Sequence, residues 1–83
     1  MTSDKKRRTV LSAVARILRE ERLRQGLSLS AVAAAAGISY QMVGFVEKEK
    51  RNPTLDTLLR IADALEVDFV KLMANAYKTA SNK

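Results

Sequence analysis

The chain has 83 residues, 47% of them hydrophobic, with no cysteine and no histidine. That supports one small folded domain and leaves no room for a second; it also removes disulfides, cysteine-based metal sites and the side chains most used in nucleophilic and proton-shuttle chemistry, so a binding module is expected and not an enzyme. Fifteen basic residues against nine acidic ones give a net charge of +6, and the excess lies before Pro53, because Arg60, Lys71, Lys78 and Lys83 balance Asp56, Asp63, Glu66 and Asp68; such asymmetry suits a polyanion on one face.

Residues 1–8 carry Lys5, Lys6, Arg7 and Arg8 with no periodicity and read as a flexible basic arm, either a solubilising tail or a segment that reaches along phosphates. No apolar run approaches the ~18 residues of a membrane span. Ser12 and Arg16 interrupt the place where a signal peptide needs an apolar stretch, so a cytoplasmic protein with no membrane contact is expected. Val10, Leu11, Val14, Ile17 and Leu18 recur at helical spacing and Gly26 supplies a stop, which predicts a first helix over about 9–25.

Ser28 is an N-cap by residue type, and the run Ala31-Val32-Ala33-Ala34-Ala35-Ala36 has high helix propensity. Gly37 ends it, so the second helix is short and covers 29–36. Ser39 offers another N-cap two residues later, and a third helix runs from Tyr40 to Lys48 or Glu49. Pro53 disfavours helix at Asn52 and leaves 50–53 as a polar loop. Thr54 caps a fourth helix with the stripe Leu55, Leu58, Leu59, Ala62 and Leu65, widened by Ile61, and Asp56 falls in its first turn, where the helix dipole favours an anion. Glu66 and Val67 break the chain, and Asp68 caps a fifth helix that carries Phe69, Val70, Leu72 and Met73 and reaches Tyr77. Residues 78–83 read as a frayed tail. The expectation is therefore an all-α domain over 9–77 with five short helices.

The second and third helices, joined by a three-residue turn containing glycine, form a helix-turn-helix arrangement. Each position has a steric role. Val32 faces inward, Ala33 is small where the helices cross, and Ala36 lines the same contact. Gly37 supplies a positive φ. Ile38 plugs the core from the turn, and Val43 and Val46 face inward from the third helix. Around this window stand Arg22, Gly26-Leu27-Ser28, Gly37-Ile38-Ser39, Val46-Glu47, Arg51-Asn52-Pro53-Thr54-Leu55 and Ala64-Leu65-Glu66-Val67-Asp68.

With those landmarks in order, the chain resembles the phage repressor and Cro (XRE-type) family of helix-turn-helix domains from about Leu18 to Met73. The resemblance implies a five-helix lambda-repressor-like fold and a sequence-specific regulator of transcription that binds double-stranded DNA. It would be a repressor acting as a homodimer on a pseudo-palindromic operator. The resemblance also implies an ion pair between Arg22 and Glu47 that orients the third helix. That helix would enter the major groove, turning Ser39, Tyr40, Gln41, Gly44 and Phe45 toward base edges, with Gln41 suited to bidentate pairing with adenine. Phosphate contacts would fall to Ser28, Lys48, Lys50, Arg51, Asn52 and Thr54. Val70, Met73, Ala76 and Tyr77 are the expected contact between two copies. No cofactor, metal or small-molecule effector is expected. The carboxylates Glu20, Glu21, Glu47 and Glu49 read as helix charges and not as an acid–base or metal pair.

Four positions depart from the family pattern. Leu29 stands where a glutamine that grips phosphate is common. Gly44 and Phe45 stand where polar base readers are common, which makes the outer surface partly apolar. An alternative on the same fold is therefore a protein-interaction module, an antitoxin or an adaptor. Glu66 stands where the family often has glycine, which predicts a glutamate at positive φ under mild strain.

Overall fold

In the computed structural model, which describes residues 4–81, five helices follow in the expected order: α1 Asp4–Arg24, α2 Leu29–Ala36, α3 Tyr40–Glu47, α4 Leu55–Ala64 and α5 Phe69–Ser81. The described residues contain no strand. Serine and threonine start three of the helices as their chemistry dictates. The hydroxyl oxygens of Ser28, Ser39 and Thr54 accept the N–H groups of Ala31 (3.0 Å), Met42 (3.1 Å) and Thr57 (3.1 Å), each satisfying a donor that a helix start would leave orphaned. Asp68 does the same for Val70 and Lys71 at the start of α5.

Both ends of the chain depart from expectation. Helix α1 begins at Asp4, so Lys5, Lys6, Arg7 and Arg8 form its opening turns and are not a flexible arm. The reason is local: lysine and arginine are good helix formers, and nothing between Asp4 and Val10 breaks a helix. Asp4 sits at the positive end of the dipole and pairs with Arg7 at 2.9 Å. At the other end α5 continues through 78–81 because Ala80 packs against the core. The rest of the expected arm and tail, residues 1–3 and 82–83, lies outside the described residues.

Helix α1 runs against α5, while α2 packs on α3 and α4. Leu18, Val32, Val43, Ile61, Leu65 and Leu72 are sealed at the centre, with Leu27 and Ile38 packed against them from the two turns. The α4 stripe is narrower than its spacing suggests. Leu58, Ile61, Ala62 and Leu65 are buried, but Leu55 and Leu59 remain exposed. Gly37 has φ +72°, and both its own N–H and that of Ile38 reach the Ala33 carbonyl. This αL residue ends α2 and lets the α2 and α3 axes turn through 112°. Glu66 adopts φ 57°, and the N–H of Val67 closes on the Ala62 carbonyl at 2.8 Å. Glu49 adopts the same αL conformation, with φ 59°.

Candidate nucleic-acid interface

Helix α3 presents two faces. Val43 and Val46 are buried in the core, while Tyr40 and Gln41 are exposed and Gly44 and Phe45 are half-buried on the other side. At its end Glu47 meets Arg22 in a two-pronged contact. Nε of Arg22 donates to Oε2 at 2.7 Å and Nη2 donates to Oε1 at 2.9 Å. The remaining arm, Nη1, donates to the Leu27 carbonyl at 2.8 Å. One guanidinium therefore ties the end of α1, the approach to α2 and the end of α3 into a single joint. Its hydrogen bonds to Glu47 hold the Arg22 pKa above its ordinary value although burial opposes this.

Beside the exposed face of α3 lies an open recess of about 330 Å³ lined by Leu29, Tyr40, Gln41, Gly44, Phe45, Lys48 and Lys50. Leu29, the first residue of α2, packs partly against the core and partly toward this recess. The Arg51 guanidinium lies 5.0 Å from the centre of the Phe45 ring, within cation–π range. Phe45 is thus covered on one side by Arg51 and is not part of the core cluster.

The candidate phosphate contacts fall into two kinds. Lys48, Lys50, Arg51 and Asn52 are exposed and cluster around the end of α3 and the loop that follows it. Ser28 and Thr54 are exposed too, but their oxygens cap their own helices, and the Thr54 hydroxyl donates to Thr57 at 3.0 Å. Their contribution to an anion comes through helix starts whose N–H groups they organise.

Two features escaped the sequence reading. The αL turn at Glu49 swings its carboxylate to α1, where it accepts the Ser12 hydroxyl. Arg8, brought into order by the longer α1, lines a cleft of about 190 Å³ together with Glu49, Arg51 and Asn52. The only sequence signal for the second was the absence of a helix breaker before Val10.

The expected contact between copies is revised. Ala76 is fully buried within its own chain and is unable to meet a partner, because it follows Leu72 by one turn on the face toward α1. Met73 is half-buried against the core. Val70 and Tyr77 remain exposed at 77% and 50%, and Met73 and Tyr77 share a shallow depression with Arg7, Val10 and Leu11. Among the described residues no group of His, Cys, Asp or Glu side chains is placed to hold a metal ion, and no single helix is long and apolar enough to cross a membrane.

The family model for helix-turn-helix domains matches residues 18–72. The uncharacterized HTH-type transcriptional regulator y4dJ of Sinorhizobium fredii is 38% identical over 73 residues, covering 88% of this chain and 90% of that protein. The HTH-type transcriptional regulator SutR of Escherichia coli is 42% identical over 52 residues, which are 63% of this chain, and this match spans only 29% of SutR. Among solved structures, the restriction-modification controller protein C.AhdI from Aeromonas hydrophila superposes with a TM-score of 0.69 at 35% identity, over 75% of this chain and 94% of its own. The controller protein C.Esp1396I, as a tetramer on its natural 35 base-pair operator, gives a TM-score of 0.76 at 25% identity over 86% of this chain and 93% of its own.

Proposed function

This chain belongs to the helix-turn-helix family of phage repressor and Cro (XRE) type, a family of DNA-binding transcription regulators, and on that premise we propose that it binds a specific double-stranded DNA site as a two-fold homodimer and represses transcription by occupying it. The observation that carries this reading is the uncovered outer face of α3. Tyr40 and Gln41 project from its first turn, and Lys48, Lys50 and Arg51 stand exposed at its far end. A rod with polar readers at one end and cations at the other suits insertion into a major groove between two phosphate backbones. C.Esp1396I, a protein of similar fold, is bound as a tetramer to its natural 35 base-pair operator, which supports double-stranded DNA as the partner.

In this arrangement Ser39, Tyr40, Gln41, Gly44 and Phe45 face base edges, and the Gln41 amide pairs with an adenine. Lys48, Lys50, Arg51 and Asn52, with the helix starts capped by Ser28 and Thr54, hold phosphates. Val70 and Tyr77, flanked by Met73, form the contact with the second copy. Two such copies place their α3 helices about one turn of DNA apart, roughly 34 Å. No enzymatic role is needed.

The test is a binding titration by fluorescence anisotropy at several salt concentrations, with a duplex selected from a random-sequence pool and a scrambled control. Affinity for the selected duplex falls steeply with salt. Gln41→Ala relaxes discrimination at one base position by about 1–3 kcal/mol. Equal binding to selected and scrambled duplexes by the unaltered protein would refute sequence-specific regulation.

A further inference from the structure

The reading of α3 as a groove-binding helix leaves one feature unexplained. The wall beside its polar residues is carbon. Leu29 and Phe45 are half-buried, Tyr40 is 54% exposed, and the three line one recess together with Gly44. Leu29 stands at the start of α2, where a phosphate-gripping polar side chain would be expected. Gly44 is placed mid-helix despite the low helix propensity of glycine. A Cβ on Gly44 would come within 3.8 Å of Leu29 Cδ1. That is ordinary contact, so packing does not demand glycine there. What glycine does is leave the gap between Leu29 and α3 unfilled.

The rim decides what kind of molecule fills this gap. Lys48 and Lys50 border the recess, and Arg51 stacks on Phe45 from outside. An apolar protein surface gains little from a ring of cations, whereas a nucleic-acid duplex supplies the matching anions. The base edges in a major groove present donors, acceptors and one apolar group, the C5-methyl of thymine.

Resting on the function proposed above, we infer that Leu29, Tyr40 and Phe45, set around Gly44, read the C5-methyl group of a pyrimidine. Gln41 opens onto the same recess. The amide takes the hydrogen-bonding edge of an adenine, and the carbon wall takes a thymine methyl of the same or the adjoining pair. The chain thus prefers A·T steps at this point by shape and apolar contact as well as by hydrogen bonding. Leu29 becomes a specificity-determining residue contributed by α2 and not by the recognition helix itself.

The experiment uses the full chain and a duplex enriched from a random-sequence pool. Each dT of the enriched site is replaced singly by deoxyuridine, which deletes the methyl and nothing else. Anisotropy at fixed salt then gives the affinity of each duplex. The expected result is at least one dT position in each half-site where loss of the methyl weakens binding about four-fold, the equivalent of one buried methyl group. Leu29→Gln, checked for folding by a circular dichroism melt, abolishes that difference and still binds duplex. A protein that prefers its site yet is indifferent to every methyl overturns the inference, leaves the DNA-binding reading standing, and turns the recess over to a protein partner. A deoxyuridine effect that persists undiminished in folded Leu29→Gln overturns the assignment of Leu29. Failure to enrich any sequence overturns the DNA-binding reading itself and takes this inference with it.

Discussion

Replacing Arg22 by alanine deletes three hydrogen bonds at once, two to Glu47 and one to the Leu27 carbonyl. It also strands a carboxylate whose side chain is only 8% exposed, beside a partner that was 11% exposed. Solvated surface pairs contribute about 0–1 kcal/mol, whereas removing one member of a buried pair costs about 3–5 kcal/mol because the other charge stays desolvated. The burial of this pair places it near the lower end of the second range, about 3 kcal/mol. In a domain of this size each kcal/mol moves the melting temperature by about 4–8 °C, so the midpoint falls by about 12–24 °C. Circular dichroism melts of Arg22→Ala, Glu47→Ala and the apolar double variant Arg22→Met/Glu47→Leu form the assay. The double variant is less destabilised than either single one, since neither desolvated charge remains. A loss below about 1 kcal/mol in Arg22→Ala, with no recovery in the double variant, would show a merely solvated pair and refute the joint described above.

Two further outcomes follow from backbone strain and from titration. Glu66 holds a positive φ and makes no side-chain hydrogen bond or ion pair among the described residues, so Glu66→Gly relieves αL strain and raises stability by about 0.5–1 kcal/mol in urea denaturation. Glu49→Gly gains nothing comparable, because it also discards the bond from Ser12. The carboxylate of Glu21 accepts from Arg24 and then from Gln25, which hold its pKa down at about 2. A depressed carboxylate pKa contributes stability above the unfolded value and loses it as protons bind the folded form. The Glu21 contribution is therefore complete above about pH 4.3 and disappears as the pH falls toward about 2. Urea midpoints measured across that window fall less steeply for Glu21→Gln than for the unaltered chain; identical slopes would remove Glu21 from the acid response.

What was legible in the sequence is what local chemistry decides. Ser28, Ser39 and Thr54 cap helices because their hydroxyls fit orphan amides, and Gly37 turns the chain because an αL residue at little cost is wanted there. Val32, Ala33, Ala36, Val43 and Val46 are buried because helical spacing puts them on one side. What was not legible depends on which face a neighbouring element covers. The spacing of α5 does not say whether Ala76 joins Leu72 inward or joins Val70 and Tyr77 outward, and the approach of α1 buries Ala76 with Leu72 while Met73 lies half-buried at the edge. Leu55 and Leu59 satisfy the α4 stripe by position, yet they stay exposed. Apolar spacing places the start of α1 just before Val10, but the helix already runs through Lys5, Lys6, Arg7 and Arg8 because those residues favour it. Glutamate carries no signal for αL, so Glu49 gave no warning, whereas Glu66 was readable by standing where glycine is usual.

The same distinction changes the reading of charge. Counted along the chain, residues 28–53 hold Glu47 and Glu49 against Lys48, Lys50 and Arg51 and are barely basic. Folding separates the signs. Glu47 is drawn inward onto Arg22, a cation supplied by α1, and the αL turn at Glu49 carries the second carboxylate back to Ser12, also on α1. The three cations stay exposed, two of them on the rim of the recess and the third stacked on Phe45. On α4, by contrast, Arg60 is held by Asp56 at 2.9 Å and adds little field of its own. A segment with little net charge thus presents a cationic border around an apolar floor. Glu47, the acid that fixes the end of α3 on Arg22, is the acid whose withdrawal from the surface leaves that border more positive. Orientation of the helix and attraction of a polyanion are two consequences of one packing arrangement.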